Sequence, residues 1–423
     1  MVSQNTFPFF QGNSLSDVFA QDIDVENYAL LLNYPATARW AAYPNVQKYF
    51  LQDGNSEATK TSFDKICQKE PWKNLAVLGD TLPGVVISPP QDLLMHYWRD
   101  HFGFQYQQLE FLDCSTYLDD LSQSDRIDRV LTLFPFDHLR REKHAVNPEV
   151  HYRLLSKATL AELGVLCPTY QTYQVDHSNL DQMQLSRPFP YLIKTSHGLS
   201  GEGTYIIHNQ SDLNYCLEEL KQYLKINLLR TIIVSEFVKN ETHNYCVQFY
   251  VNKQREITLI GVTQQLVSAT GTYLGGVIDY THDLSQFSDM IAAIGQYAHQ
   301  QGYFGVIGFD VLEDRDGSLY AIDANFRING STPLCLQRHQ SLKLNKTIAK
   351  YSTDYRMDGT LDAILVTLKS HLERQDLIIL SALEKVKYGK IYTEIYGIVA
   401  GETLQEMEQL EQTLHTKGLR LVG

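Results

Sequence analysis

The sequence predicts a mixed α/β and α+β chain of two or three packed domains, and three observations carry that reading. At 423 residues, 43% of them hydrophobic, it exceeds what one hydrophobic core ordinarily organises. Short apolar runs alternate with helical patterns over roughly the first 145 residues, the signature of an open α/β layer. From Phe189 onward, strand-like runs are instead joined by glycine-rich or polar loops, as in antiparallel sheets.

In the first part, Leu75 to Leu78, Val85 to Ser88 and Val130 to Phe134 read as strands, with Gly79-Asp80 and Pro89-Pro90 as turns and Gln91 to His101 as a helix. No G-x-G-x-x-G follows any of these strands, so no dinucleotide fingerprint is present. The aromatic segment from Asn33-Tyr34-Pro35 to Tyr49 is expected to be packed rather than to hold substrate.

A formal charge of -13 argues against a nucleic-acid partner, which requires a basic footprint. No apolar run is long enough to span a membrane, and Met1 to Gln11 lacks the order of a signal peptide, so a cytoplasmic protein is expected. The six cysteines show no C-x-x-C spacing, and the fourteen histidines show no H-E-x-x-H. That excludes a disulfide framework, a zinc ribbon and a zinc hydrolase of that type.

Asn147-Pro148 opens a second part, with helical spacing from Val150 to Leu163 ended by Gly164. Arg153 and Lys157 stand four apart and so share one face of that expected helix. Phe189 to Lys194 then reads as a buried strand, followed by Thr195-Ser196-His197-Gly198-Leu199-Ser200-Gly201-Glu202-Gly203-Thr204 and a second strand, Tyr205 to His208. The glycines let backbone N–H groups close on an anion without Cβ obstruction, and Lys194 adds a charge at the mouth of the loop. Here Lys194 precedes the glycines on a strand, which is neither the P-loop order nor that of a protein kinase.

Thr231 to Val238 is a further apolar strand that breaks into the polar bend Lys239 to Asn244, with Tyr245 to Val251 as the next strand. Gly308-Phe309-Asp310-Val311-Leu312 and Tyr320-Ala321-Ile322-Asp323-Ala324-Asn325 flank the turn Glu313 to Ser318, so Asp310 and Asp323 are expected side by side on a hairpin. Asp323 and Asn325 share a face by the two-residue period of a strand, with Arg327 next along it. Hard oxygen donors in this arrangement suit magnesium, which completes its shell with water and phosphate oxygens. From Gln340 to Gly423 come amphipathic helical patterns and a strand-like Tyr396 to Gly401; Leu404, Met407, Leu410 and Leu414 form an apolar stripe.

In this order, from about Pro148 to Pro333, these segments resemble the ATP-grasp superfamily. The resemblance implies two α+β lobes clasping ATP over residues 148–339, a preceding α/β domain over 1–147 and a small C-terminal α/β lobe over 340–423. It places Arg153, with Lys157 one turn later, and Lys194 at the phosphates, and His197, Gly198, Ser200, Gly201 and Gly203 in the mobile loop. It puts Ser235 to Val238, with Glu236, Phe237 and Val238, at the adenine hinge and His243, Glu241 or Asn244 at the ribose. Asp310, Asp323 and Asn325 become the metal ligands, with Asp323 where the family more often has Glu, and Arg327 and Lys194 become the catalytic cations.

The activity implied is ATP-dependent carboxylate-amine ligation through an acyl phosphate, with amino acids or small peptides as substrates. The cofactors implied are ATP and Mg2+, with Mn2+ as a substitute. Small-molecule carboxylates and amines are the expected partners, and a homodimer is compatible with the reading. A carboxylate kinase, a ligase that modifies a protein and a regulatory ATP-binding scaffold are the alternatives.

Overall fold

The computed structural model describes residues 7–35, 48–49, 64–180, 187–198, 201, 203–225, 229–268 and 271–422. Three sheets organise them. The first is parallel, with strands β1 (Tyr28–Leu31), β2 (Gly84–Val86), β3 (Leu109–Phe111) and β4 (Arg129–Thr132) in the order β3-β2-β1-β4. It is covered on both faces, as parallel sheets require. Ala29, Leu31, Val85 and Val130 pack on the helix Tyr117–Gln123, while Leu30, Val86 and Leu131 join the main core.

The expected strand at Leu75 to Leu78 does not form. A helix, Glu70–Leu75, runs into that segment, and the carbonyls of Val77 and Leu78 accept the backbone N–H groups of Leu15 and Ser16 at 2.8 Å each. Those bonds tie down the start of the helix Leu15–Phe19 instead of extending a sheet. The strands Tyr28–Leu31 and Leu109–Phe111, which complete the layer, are too short to show a period in sequence.

The second sheet is antiparallel, with β5 (Tyr170–Gln174), β6 (Tyr191–Thr195), β7 (Thr204–Ile207) and β8 (Thr231–Glu236) in the order β5-β8-β6-β7. The helix Gln210–Lys225 lays Cys216, Leu220 and Leu224 on its Tyr191, Ile193, Ile232 and Val234 face, leaving Lys194 on the other.

The third and largest sheet holds β9 (Glu241–Val251), β10 (Ile257–Val267), β11 (Tyr273–Asp279), β12 (Gly305–Asp314), β13 (Leu319–Asn325), β14 (Ile348–Asp358), β15 (Leu377–Lys387), β16 (Lys390–Gly401) and β17 (Arg420–Leu421). Their order is β13-β12-β9-β10-β11-β14-β16-β15, with β17 on β14. Residues 340–423 therefore do not fold as a lobe with a sheet of its own. β14 pairs with β11 from Asp279↔Ile348 to Gly275↔Ser352 and carries the sheet across the expected boundary. The helix Leu404–Thr416 buries Met407 and Leu414 as expected, but Leu404 is half exposed at its first turn. No helix among the described residues is long and apolar enough to cross a membrane.

Three buried histidines are fastened to backbone groups. The ring of His144 accepts the Phe136 N–H at 3.3 Å, His151 donates to the Phe326 carbonyl at 2.9 Å, and His197 donates to the Tyr152 carbonyl at 2.9 Å while stacking on its ring. Burial lowers all three to about 4. They stay neutral in the fold while the unfolded chain takes up protons from its ordinary range downward, so acid favours unfolding. Stability is expected to hold above about pH 6.5 and to fall steadily toward pH 4, by on the order of a few kcal/mol per histidine. Urea midpoints across that range test this; a flat profile would contradict the neutral, buried rings.

Candidate active site

The hairpin β12–β13 pairs Asp310 directly with Asp323, as the sequence predicts. The register slips just after this pair, so Val311 faces Ala321 and Ile322 is left unmatched. On its other side Asp310 pairs in register with Cys246 of β9, and the neighbouring thiol favours the ionised carboxylate. Loss of solvent, then the charge of Asp323, raises Asp310 to about 7. Asp323 is held below the usual carboxylate range: removal from solvent pushes it up, but Lys157 and Lys194 together outweigh that.

Two lysines reach this pair from other elements. Lys157 Nζ lies 3.1 Å from Asp323 Oδ2, and Lys194 Nζ donates to the carbonyl of Ile322, the unmatched residue, at 3.2 Å. Withdrawal from solvent, aided by the like charge of Lys157, lowers the Lys194 pKa.

Arg153 lies elsewhere. The expected single helix is broken into Pro148–Leu154 and a 3-10 turn Lys157–Leu163, because Ser156 leaves helical geometry and caps the second piece through Ala158 N. The break separates the two basic residues. Arg153 is exposed and bonded to Glu162, Tyr297 and Gln301, whereas Lys157 is drawn inward, its backbone N–H bonded to the Ser196 carbonyl at 2.9 Å.

The glycine loop links β6 to β7. Gly201 and Gly203 have positive φ, and a Cβ would meet the Gly271 carbonyl oxygen at 2.3 Å or Thr195 Oγ1 at 2.3 Å respectively, so no other residue fits either place. Gly198 precedes them, and Ser200 lies outside the described residues. His197 is turned inward rather than into the loop: its second ring nitrogen meets Ser196 Oγ at 2.9 Å.

At the expected hinge, β8 ends at Glu236 and β9 already begins at Glu241, a shorter bend than the sequence suggests. Glu236 pairs with Tyr191 and so points to the helix-covered face, opposite Lys194, where it accepts from Thr169 Oγ1 at 2.9 Å. An open cleft is lined here by Gln171, Tyr173, Glu236, Phe237 and Val238 and, from the β12–β13 hairpin, by Asp314 and Tyr320. Val238 is buried, and Glu241 and His243 stand exposed on β9, His243 with Nδ1 3.3 Å from Glu313.

Past the end of β13, Arg327 is fastened three ways: Nη2 to Asn325 Oδ1 at 2.8 Å, and Nη1 to the Ile328 carbonyl at 3.1 Å and to the Tyr34 hydroxyl at 3.2 Å. Tyr34 and Cys246 are the neighbours that sequence reasoning does not assign to the site. The aromatic-rich segment around Tyr34 is visible in the sequence, but only pairing of β9 with β12 brings Cys246 to Asp310.

The donor set fits magnesium. Two adjacent carboxylates that repel each other, with Asn325 two residues along the same strand, are hard oxygen donors short of a full shell. No group of three or more His, Cys, Asp or Glu side chains is assembled for a metal among the described residues.

Residues 168–325 match the family model for the ATP-grasp domain of L-aspartate–L-methionine ligase. A curated relative, the butirosin acyl-carrier protein–L-glutamate ligase of Niallia circulans, is 24% identical over a match covering 59% of this chain and 62% of that protein. The chain thus spans less than two thirds of that relative's length. Among solved structures, the L-amino acid ligase of Bacillus licheniformis superposes with a TM-score of 0.55 at 12% identity, covering 94% of this chain and 98% of that one. The N5-carboxyaminoimidazole synthetase of Staphylococcus aureus gives 0.52 at 15% identity, covering 98% and 100%. The agreement extends across nearly the whole chain at the level of fold, and the family model closes on Asn325 at the end of the carboxylate hairpin: the chain has the ATP-grasp fold and carries an ATP-grasp domain over residues 168–325.

Proposed function

We propose that this protein is an ATP-dependent carboxylate-amine ligase acting on amino acids or small peptides. The observation that carries the reading is the convergence of Lys157, Lys194 and Arg327 on the Asp310–Asp323 pair, from three separate stretches of chain. That is an arrangement for polyanion chemistry.

In this reading Lys194 and Lys157 bind the phosphates, and the amides of the loop around Gly201 and Gly203 close over them. Arg153 takes no part. Backbone groups from Glu236 to Val238 receive the adenine, and Glu241 or His243 the ribose. Asp310, Asp323 and Asn325 hold Mg2+, with Mn2+ as a substitute; when bound, the metal withdraws charge from the phosphate oxygens. A substrate carboxylate oxygen attacks the γ-phosphorus as the bond to ADP breaks, giving an acyl phosphate. The amine then attacks the acyl carbon, loses a proton and expels phosphate. Arg327, held rigid by its three contacts, faces the oxyanion that develops in that step. A closed loop keeps water from the acyl phosphate.

Amino-acid substrates are supported by the names of the relatives, which act on aspartate, methionine, glutamate or L-amino acids. The carrier-protein relative supports a second reading in which the amine or acyl partner is itself a protein. Six free thiols agree with a reducing cytoplasmic setting, and a homodimer belongs to the same proposal.

ADP release with pooled amino acids and Mg2+ is the decisive measurement. Turnover that requires both an acid and an amine is the expected result. Turnover with an acid alone supports a carboxylate kinase, and none under any mixture supports a nucleotide-binding scaffold.

A further inference from the structure

The sheet face that carries the carboxylates is laid out in rows. Residues opposite one another on antiparallel strands project to the same side. The pairings put Thr263, Cys246, Asp310 and Asp323 side by side across β10, β9, β12 and β13. Two positions along each strand, the next row on that face is Gly261, Gln248, Gly308 and Asn325. Gln248 therefore stands on the face of the site, one row from Asp310 and in line with Asn325. It is 0% exposed, and no step of the ligation uses it.

What covers Gln248 is the segment of chain that leaves β13 with Arg327. The glycines on either side of Gln248 make room for that segment. A Cβ at Gly308 would overlap the side-chain amide of Asn329, and one at Gly261 would stand 2.9 Å from Cys335 Sγ. Neither glycine has a positive φ, so both serve space and not a turn. Between them both ends of the Gln248 amide are engaged. Nε2 donates to Ser331 Oγ at 2.7 Å, and Oε1 accepts from Thr332 Oγ1 at 2.6 Å. Thr332 Oγ1 in turn accepts the Asn329 N–H at 2.8 Å, and Asn329 Nδ2 donates to the Arg327 carbonyl at 2.9 Å. Thr263 Oγ1 adds a bond to Ser331 Oγ at 3.2 Å.

Gln248, Thr263, Asn329, Ser331 and Thr332 are all buried, so each lost bond would strand a polar group away from water. An unbroken chain of hydrogen bonds thus joins Gln248 to the backbone of Arg327. The Ile328 carbonyl, one acceptor of the guanidinium, belongs to the same segment. We propose, resting on the ligase reading above, that Gln248 is a positioning residue for acyl transfer: through Thr332 and Asn329 it fixes the backbone from which the Arg327 guanidinium is held at Asn325. Lys157 and Lys194 are held by other elements, so loosening this segment leaves phosphoryl transfer in place and weakens the step that follows it.

The test uses the full chain with Mg2+, ATP and an acid and amine that give turnover, and reads amide and ADP in a single turnover. Thr332→Val removes the hydroxyl between Gln248 and Asn329 and is expected to lower the amide formed per ADP by about tenfold, the range of a broken buried hydrogen bond. Affinity for ADP is expected to change by less than about twofold. Thr332→Ser keeps the hydroxyl and is expected to retain the wild-type ratio. Gln248→Met frees both hydroxyls and is expected to act further in the same direction; the Thr332 pair keeps the proposal testable where that chain does not fold. In an Arg327→Lys background Thr332→Val is expected to add less than about twofold, because residues acting through one group are not additive. Stability falls whether the network positions Arg327 or only packs the segment, so the ratio and the background decide. ADP and amide slowed equally, an unchanged ratio in Thr332→Val, or a full effect in the Arg327→Lys background overturns the positioning role while the ligase reading stands. A wild-type chain that forms no amide with any mixture removes the ligase reading and this inference together.

Discussion

Asp323→Asn is expected to lower ADP formation by about a thousandfold at saturating Mg2+, the several kcal/mol that a bound metal supplies to phosphoryl transfer. The effect has two sources in the structure. The substitution removes a ligand charge, and it strips Lys157 and Lys194 of the carboxylate that balances them. Two part-buried cations then face each other, so the melting temperature is expected to fall as well. Asp310 responds in the opposite sense: freed from the neighbouring charge, it loses its proton at lower pH, though its removal from solvent still holds it above an ordinary carboxylate. Steady-state ADP release against Mg2+ concentration, with a melting curve for each protein, separates the two effects. Activity within tenfold of wild type would remove Asp323 from the metal site.

Arg327→Lys is expected to cost about 10²- to 10³-fold in kcat for amide formation and to leave the affinity for ADP nearly unchanged. Lysine keeps the charge but not the fork that meets Asn325, Ile328 and Tyr34 at once, so the charge is no longer held in place. Single-turnover measurements distinguish the steps: ADP forms faster than the amide in the variant, and the surplus is lost as hydrolysed acyl phosphate. Equal slowing of both steps, or a large loss of ADP affinity, would move Arg327 from acyl transfer to nucleotide binding.

The elements legible in the sequence are those whose chemistry is local. Asp310 and Asp323 are separated by one short turn, and Lys194 runs directly into its glycines, so strand alternation and turn composition place them without knowledge of the fold. Arg153 and Lys157 are not separable in that way. On an unbroken helix they share a face; the Ser156 cap breaks that helix and sends one to solvent and the other to Asp323. A single serine in a helical pattern is too weak a signal to foresee it. His197 falls within the glycine loop by position, yet stacking on Tyr152 holds it in the interior.

Sequence alone therefore dictates the kinds of group at the centre of this protein, a carboxylate pair on a hairpin and a lysine at the mouth of a glycine loop, because each is written within a few residues of backbone geometry. Tertiary packing selects which cation meets Asp323, brings Cys246 beside Asp310, extends the central sheet with the C-terminal strands, and sets Tyr34 against Arg327. Those contacts join residues far apart in the chain, and their register follows from how whole sheets bury their faces rather than from any local pattern.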